Sequence, residues 1–178
     1  YSAATSAWGT ATLLETGGSS AQLPQVAMDP NGNATVVWMQ QLGIHYNAWA
    51  ARYRAGSGWE AAVLLENENS APNATLDSPE IAMDAAGNAI AVWSQRVGVQ
   101  NFIWANRYTT GQGWGGAASI DITANGLSFI PKVAIDGSGN ALAVWRRGSI
   151  LYANRYTGGN WGTPAIVGSG IGHDLAIN

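Results

Sequence analysis

Short apolar segments alternate with glycine- and asparagine-rich turns along the chain. The segment Pro24–Asp29 runs into Asp-x-x-Gly-Asn, which closes a tight turn because the aspartate caps backbone amides and the glycine takes a positive φ. Ala34–Trp38 is apolar and β-prone on both alternating faces, which predicts a strand covered on both sides. Further strands are predicted near 48–53 and, after a glycine-rich connection, at 59–65. These four strands are called A to D, and no segment favours a helix.

The whole pattern is repeated. The A–B signature of the first unit recurs twice, and each copy runs on to a Val-Trp pair that ends strand B. Its aspartates are Asp29, Asp84 and Asp136, and its tryptophans are Trp38, Trp93 and Trp145. A second signature, Arg-Tyr followed by Trp, alternates with the first and begins at Arg52, Arg107 and Arg155. A regular long period of this kind indicates a repeat architecture.

Four antiparallel strands per repeat, with aromatic and glycine positions fixed in each, predict an all-β fold of the β-propeller type. A sandwich or a β-helix is the alternative. A hexapeptide-type β-helix would have a much shorter period, and an immunoglobulin-like sandwich would not repeat its own sequence. We expect one repeat domain with a partial blade at 1–23, blades at 24–66, 79–122 and 131–168, and a partial blade at 172–178.

The motif Ala27-x-Asp29-x-x-Gly32-Asn33, followed by Trp38, resembles repeats of quinoprotein-type propellers and of NHL propellers. The whole repeat also resembles those of long repetitive proteins on the bacterial exterior. These resemblances imply a propeller fold and a role in adhesion or recognition. The Asp-box of sialidase-type propellers is similar but has its glycine and tryptophan at different spacings, so no sialidase residue is transferred to this chain.

Composition narrows the possible functions. The 178 residues carry 8 basic and 11 acidic side chains, a net charge of -3, which disfavours nucleic acid as a partner. No apolar run approaches the roughly 20 residues that cross a bilayer, so membrane insertion is not expected. The chain has no cysteine, and His45 and His173 have no ligand-type neighbours. We therefore expect no metal, no cofactor and no catalytic residue.

The repeated polar and aromatic residues favour structural roles. The tryptophans that end strand B, and those that open strand D at Trp8, Trp59, Trp114 and Trp161, are expected to pack between neighbouring sheets. Trp49 and Trp104 share a strand C position with Tyr152, and packing is expected there too. Each repeated arginine is expected to pair with an aspartate of the A–B hairpins, and each aspartate to cap its turn rather than bind calcium.

The connections between repeated segments differ most, and this variation predicts a binding surface. The B–C connections 39–43, 94–101 and 146–149 and the D–A connections 67–78, 121–130 and 168–174 would emerge on one face of a propeller. Candidate ligand-binding residues on that rim are Gln41, Arg96, Gln100, Asn101, Phe102, Arg146 and Arg147, together with Asn69, Asp121 and Asn125.

These candidates predict a non-enzymatic recognition or adhesion module that binds a neutral glycan at this rim. One alternative is a structural or protein-interaction segment of a larger surface protein, whose partner would be a cell-surface protein. A sialidase-like glycosidase is the third, but the B–C connections contain no acidic residue. Little lysine and much asparagine, glycine, serine and threonine favour a secreted or cell-surface location.

Three complete repeats with partial ones at both ends are too few for a regular closed propeller, which has four to eight blades or so. Two explanations remain open. Either the chain is a window of a longer array, or copies form a homo-oligomer in which the unpaired terminal strands find partners.

Overall fold

The computed structural model describes residues 6–15, 17, 20–43, 45–66, 79–121 and 127–170. These residues form strands and no helix, and the strands make three antiparallel sheets, one per complete repeat. The first sheet contains β1 (Ala21–Met28), β2 (Ala34–Leu42), β3 (His45–Arg54), β4 (Gly58–Trp59) and β5 (Val63–Leu64). The second contains β6 (Glu80–Met83), β7 (Ala89–Val97), β8 (Gln100–Thr109), β9 (Gly113–Trp114) and β10 (Ala118–Ser119). The third contains β11 (Ser128–Ile135), β12 (Ala141–Arg147), β13 (Ile150–Thr157), β14 (Asn160–Trp161) and β15 (Ala165–Ser169).

Each sheet follows the predicted order A–B–C–D, but strand D is interrupted. In the first sheet both β4 and β5 pair with β3, and the other two sheets repeat this arrangement. The registers are equivalent as well. Trp38 lies opposite Trp49, Trp93 opposite Trp104, and Trp145 opposite Tyr152. The repeated sequence therefore specifies a repeated three-dimensional unit.

The A–B turn is formed as its sequence predicts. Asp29 Oδ1 accepts hydrogen bonds from the backbone N–H groups of Asn31 and Asn33, both at 2.9 Å, and Gly32 has a φ of 82°. Asp84 and Asp136 cap their turns in the same way. The turn-capping prediction is confirmed in all three repeats.

Strand A contains a bulge that the sequence did not reveal. The pairing of β1 with β2 shifts between Gln22 and Gln25, and Leu23, just before Pro24, has a φ of 55°. Ile130, just before Pro131, has the same φ at the equivalent shift in β11. The bulge lets strand A continue on the other side of the proline, so the first sheet starts at Ala21 rather than at Pro24.

The sheets stack face to face in chain order, and the middle sheet is buried on both faces. Ala91 and Trp93 of β7 belong to a core shared with Val37, Met39 and Leu65 of the first sheet. The alternate residues of β7, Ile90 and Val92, belong to a second core that includes Trp145 of the third sheet. This alternation confirms that strand B is covered on both sides. An ion pair between Lys132 and Glu80 adds a polar link from the third sheet to the second.

The tryptophans divide into buried and exposed sets. Trp38, Trp93 and Trp145 are 4%, 1% and 0% exposed. Trp93 and Trp145 lie in the two cores between sheets, as predicted, whereas Trp38 lies beside Leu14 and Glu15. The strand D prediction is wrong at two positions, because Trp8 is 82% and Trp59 is 37% exposed. Trp59 has no preceding sheet against it and meets the edge of Tyr53 in its own sheet, with ring centroids 5.4 Å apart. Trp114 and Trp161 do pack against the two cores, as does Trp104.

The B–C connections are shorter than predicted. Pairing continues to Leu42 opposite His45, Val97 opposite Gln100, and Arg147 opposite Ile150, so each connection is a two-residue turn. The segments 39–43, 94–101 and 146–149 are mostly strand rather than loop. Their glutamines looked like loop residues, yet Gln40 and Gln95 are buried and accept the indole N–H of Trp38 and Trp93, each at 3.0 Å.

Candidate functional site

The predicted rim residues lie at the end of the sheets that carries the B–C turns. Gln41, Arg96, Arg146 and Arg147 occupy the last part of strand B, whereas Gln100, Asn101 and Phe102 open strand C of the second sheet. Asp121 follows β10. Asn69 and Asn125 lie outside the described residues. The structure thus places the described candidates on strands or directly after one, not on irregular loops.

Two of these side chains bond to their own turns. Gln41 Nε2 donates to the carbonyl of Gly43, and Arg96 Nε donates to the carbonyl of Gly98, both at 3.0 Å. Gly43 and Gly98 have positive φ values of 65° and 64°, which the two-residue turns require. Gln41 and Arg96 therefore stabilise the B–C turns.

Arg147 and Asp121 form the most constrained pair at this end. Arg147 Nη2 donates to Asp121 Oδ1 at 2.7 Å, with the two side chains 14% and 0% exposed. Arg147 Nε also reaches Ser128 Oγ at 3.3 Å, and its guanidinium carbon lies 5.0 Å from the ring centre of Tyr152. The bond to Asp121 joins the third sheet to the end of the second, whereas the contacts with Ser128 and Tyr152 lie within the third sheet. Both residues were predicted to bind a ligand at the rim; here their opposite charges pair with each other.

Asn101 is also buried, at 2% exposure, and pairs with Leu127 in an isolated parallel bridge. Nearby, Ser94 Oγ donates to the carbonyl of Ser128 at 2.8 Å. Gln100, Phe102 and Arg146 are half-buried. Three of these contacts, Arg147–Asp121, Asn101–Leu127 and Ser94–Ser128, connect the second and third repeats.

Glu66 is a further acidic group at this end of the first sheet. It is 8% exposed, and its Oε1 accepts the backbone N–H of Ala48 at 2.9 Å. Burial raises the pKa of the Glu66 carboxyl to about 7, an effect that hydrogen bonds from Ala48 and the Asn47 side chain only partly oppose. Glu66 occupies the same position in the repeat as Glu15 and Asp121. Those two carboxylates have partners on the next sheet, Gln40 and Arg147.

Two of the repeated arginines, Arg52 and Arg107, stack on the next sheet instead of forming the predicted ion pairs. Arg52 lies with its guanidinium carbon 4.0 Å from the ring centre of Tyr108 and donates to Thr35 Oγ1 at 3.2 Å. Arg107 is placed similarly, 5.0 Å from the ring of Tyr156. The predicted Arg–Asp ion pairs are absent from the ion pairs of the described residues. The aspartates are already occupied by their turns, which leaves the guanidinium groups to the aromatic faces.

The charge of Arg52 nevertheless contributes to the pKa of Asp29. Burial opposes ionisation of this carboxyl, but the hydrogen bonds from Asn33 and Asn31 and the charge of Arg52 together keep its pKa below the ordinary value. A Cβ built on Gly87 of the second sheet would lie 3.0 Å from Asp29 Oδ2 and 3.1 Å from Arg52 Nη2. Any larger residue at this position would therefore crowd the groups where the two sheets meet.

A large cleft lies at the opposite end, beside the C–D turns. It has a volume of about 660 Å³ and lies between the first and second sheets. The residues with functional side chains that line it are Arg52, Arg54, Glu60, Tyr108, Gln112 and Trp114. Backbone of the glycine-rich turn 111–115 and small apolar residues of the first sheet complete the walls. This volume is typical of small-molecule sites. A smaller cavity of about 160 Å³ beside Trp38 is almost entirely apolar.

Arg54 and Glu60 form an ion pair at the mouth of this cleft. On its inner side Tyr108 is 5% exposed and meets Trp114 edge to face, with ring centroids 5.6 Å apart. The cleft therefore combines aromatic surface with hydrogen-bond donors and acceptors. A cluster of three or more residues able to hold a metal ion is not found within the described parts of the chain.

Sequence reasoning missed this cleft, although one signal pointed to it. Arg54 and Glu60 stand where the second repeat has Thr109 and Gly115, and where the third has Thr157 and Gly162. They depart from a segment that is otherwise almost copied. Departures from the repeat within the C–D segment, rather than in the connections, mark the cleft.

Comparisons with known proteins give only distant similarities. No family model and no curated protein matches this sequence. A protein of unknown function from Dyadobacter fermentans DSM 18053 is a structural match at 9% identity and a TM-score of 0.39, over 82% of this chain and 68% of that one. The intramolecular trans-sialidase from Ruminococcus gnavus, solved with oseltamivir carboxylate, matches at 14% identity and a TM-score of 0.46. That match covers 80% of this chain and 33% of the trans-sialidase.

One finding concerns membranes. Among the residues that the structure describes, no helix has the length and apolar character needed to span a bilayer.

Proposed function

We propose that the three sheets are blades of a β-propeller and that the chain is a non-enzymatic recognition module for neutral carbohydrate outside the cell. The observation that carries this proposal is the use of one inter-sheet interface twice. Trp93 packs into the core with the first sheet, and Trp145 occupies the equivalent position in the core with the second. Repetition of one interface between successive four-stranded sheets is the construction principle of a propeller.

The side chains support recognition rather than catalysis. Glu60 is the one carboxylate among the described residues that line the large cleft, and Arg54 neutralises it. Glycoside hydrolysis in its common form needs two carboxyl groups facing one bond. Aromatic surface beside amide and guanidinium donors suits a sugar, which offers an apolar C–H face and many hydroxyl groups. The low lysine content and abundance of asparagine, glycine, serine and threonine support the extracellular assignment.

A glycan array followed by titration of the best neutral hit tests the carbohydrate function. We expect saturable binding of one class of neutral oligosaccharide, with no release of product on prolonged incubation. Failure of every neutral glycan to bind would contradict the carbohydrate function, and hydrolysis of a bound glycan would contradict the non-enzymatic assignment.

A second candidate function, protein interaction or self-association, is favoured by the open face of the first sheet. Val26 and Met28 are 62% and 63% exposed, whereas Ile81, the equivalent of Val26 in the second sheet, is 9% exposed because the first sheet covers it. A second copy of the chain could cover this face with its third sheet. Light scattering should then give a mass above that of the monomer, and Val26→Lys with Met28→Lys should restore the monomer. A monomeric parent chain at high concentration would contradict self-association.

A further inference from the structure

We infer that the cleft between the first and second sheets, and not the rim of B–C turns, is the site that binds the sugar. This inference rests on the proposed function and names the residues that perform it. The expected ligand is a segment of a neutral oligosaccharide that places one ring against Trp114 and its hydroxyl groups against Arg54, Glu60 and Gln112.

The first step of the argument is the availability of polar groups. At the rim, Asp121 and Arg147 are paired and buried, and Gln41 and Arg96 bond to the backbone of their own turns. In the cleft, the side chains of Arg54 and Glu60 are 56% and 38% exposed, so water reaches both. A ligand hydroxyl can replace that water without breaking a contact between sheets.

The second step is the shape of the cleft. The cleft of about 660 Å³ lies between the first two sheets, and its inner side is formed by Arg52 stacked on Tyr108. Arg52 is only 5% exposed and is also tied to Thr35, so this surface is fixed before a ligand arrives. A preformed surface lowers the entropic cost of binding.

The third step is charge, which distinguishes a neutral sugar from an acidic one. The positive charge of Arg54 is balanced by Glu60. Arg52 is buried, with its guanidinium stacked on Tyr108 and bonded to Thr35. The exposed part of the cleft therefore lacks the uncompensated guanidinium group that would select a carboxylate. Guanidinium and carboxylate side by side offer several donors and two acceptors, a combination that fits adjacent hydroxyl groups.

The fourth step is the difference between the two inter-sheet junctions. At the junction of the second and third sheets, Thr109 and Gly115 replace Arg54 and Glu60. Trp161 there has the same edge contact with Tyr156, at 5.5 Å, that Trp114 has with Tyr108. The molecule therefore contains an internal control, since the packing is alike and the ion pair is present at one junction only.

The experiment measures sugar binding by tryptophan fluorescence and by saturation-transfer NMR, with soluble cello-, chito-, manno- and xylo-oligosaccharides as probes. The double variant Arg54→Thr with Glu60→Gly gives the first junction the residues of the second repeat and removes only an exposed ion pair. Trp114→Leu removes the aromatic surface, and Trp161→Leu is its matched control. The cleft variants should weaken binding at least about tenfold, a change of about 1.4 kcal/mol. Trp161→Leu should leave the affinity unchanged.

Each result decides between the two proposals. Sugar binding that survives in the double variant, or that is lost equally in Trp161→Leu and Trp114→Leu, would overturn the cleft as the site but leave the carbohydrate function standing. Absence of binding by the parent chain would overturn the carbohydrate function and the inference with it. Thermal unfolding followed by circular dichroism shows whether a variant that does not bind sugar is still folded. If Trp114→Leu does not fold, the double variant alone tests the inference.

Discussion

Arg147 donates to Asp121 over 2.7 Å, and this bond runs from the end of strand B in one sheet to the end of strand D in the sheet before it. Gln40 and Glu15 make the equivalent contact two junctions earlier, at 3.2 Å. The same place in the repeat thus holds an ion pair at one junction and an amide–carboxylate bond at another. The repeated backbone determines where the contact forms, and the residues at that position determine whether it is an ion pair or a hydrogen bond.

Arg147→Ala should strongly destabilise the third sheet. It leaves the fully buried Asp121 side chain without its ionic partner, which costs about 3 kcal/mol in comparable buried pairs. The free energy of unfolding, measured by urea titration at neutral pH, checks this. Arg54→Ala is the control, since its ion pair with Glu60 is exposed and should contribute far less. Equal effects of the two substitutions would contradict the structural role of the buried pair.

Glu66 should make stability depend on pH. The pKa of its carboxyl is about 7 in the folded state against an ordinary value of 4.5, so between these values the native protein keeps a proton that the unfolded chain has released. Stability should therefore be highest below pH 4.5 for this group, fall by roughly 3 kcal/mol as the pH rises to 7, and change little above. Glu66→Gln should remove this slope and be the more stable protein at pH 8. Urea titrations from pH 4 to 8 or so provide the measurement, and an unchanged slope would contradict it.

Gln95→Arg should lower the pKa of Glu66. Gln95 occupies the position in the second repeat that Arg147 has in the third, so a guanidinium group there should approach Glu66 as Arg147 approaches Asp121. NMR titration of the Glu66 carboxyl should show the decrease. The substitution also removes the acceptor of the Trp93 indole N–H, which should cost about 1 kcal/mol at low pH. A pKa that stays near 7 would show that the junctions are not equivalent.

Gly87→Ala should cost more stability than Gly32→Ala. Both residues have a positive φ, 79° and 82°, so each alanine variant should lose about 1 kcal/mol from backbone strain. At Gly32 the nearest atom to an added Cβ is 3.7 Å away, whereas at Gly87 Asp29 and Arg52 approach to about 3 Å. Crowding at the junction should add roughly 1–3 kcal/mol for Gly87 alone. Thermal or urea unfolding of both variants gives the comparison, and equal losses would contradict close packing of the two sheets at this point.

Trp93→Ala should be among the most damaging single changes. This indole is 1% exposed and lies in the core between the first two sheets, so its loss should cost about 3–5 kcal/mol. Trp59→Ala, at 37% exposure, should cost less than half as much. Comparable losses in equilibrium unfolding would mean that inter-sheet packing does not depend on the strand B tryptophans.

The strands and turns were predictable because their causes are local. Asp-x-x-Gly-Asn specifies its turn by bonds within five residues or so, and alternating apolar residues specify the two buried faces of Ala34–Trp38. The bulges at Leu23 and Ile130 could not be inferred, since both are apolar residues in an αL conformation that their side chains disfavour. The lengths of strands B and C were also underestimated, because buried Gln40 and Gln95 resemble loop residues in sequence.

The candidate site depended on tertiary structure. Arg54 and Gln112 are far apart in the chain and face the same cleft only because the first two sheets stack. The predicted residues Asp121 and Arg147 do lie together, yet sequence could not show that the contact buries and neutralises them. Local sequence patterns therefore predicted the strands and turns well. Which polar side chains remain accessible to a ligand could be seen only once the packing of whole sheets was known.

The contacts that cross each junction between sheets also limit how repeats of this protein can be exchanged or added. Because the acidic residue at the end of one repeat bonds to a residue of the following repeat, a transplanted unit would carry Asp121 without Arg147, or the reverse. A chimera that swaps segments cut inside strand C would keep both members of each such contact together. Engineers who build longer or shorter arrays from this chain should choose their cassette boundaries there instead of at the repeat boundary.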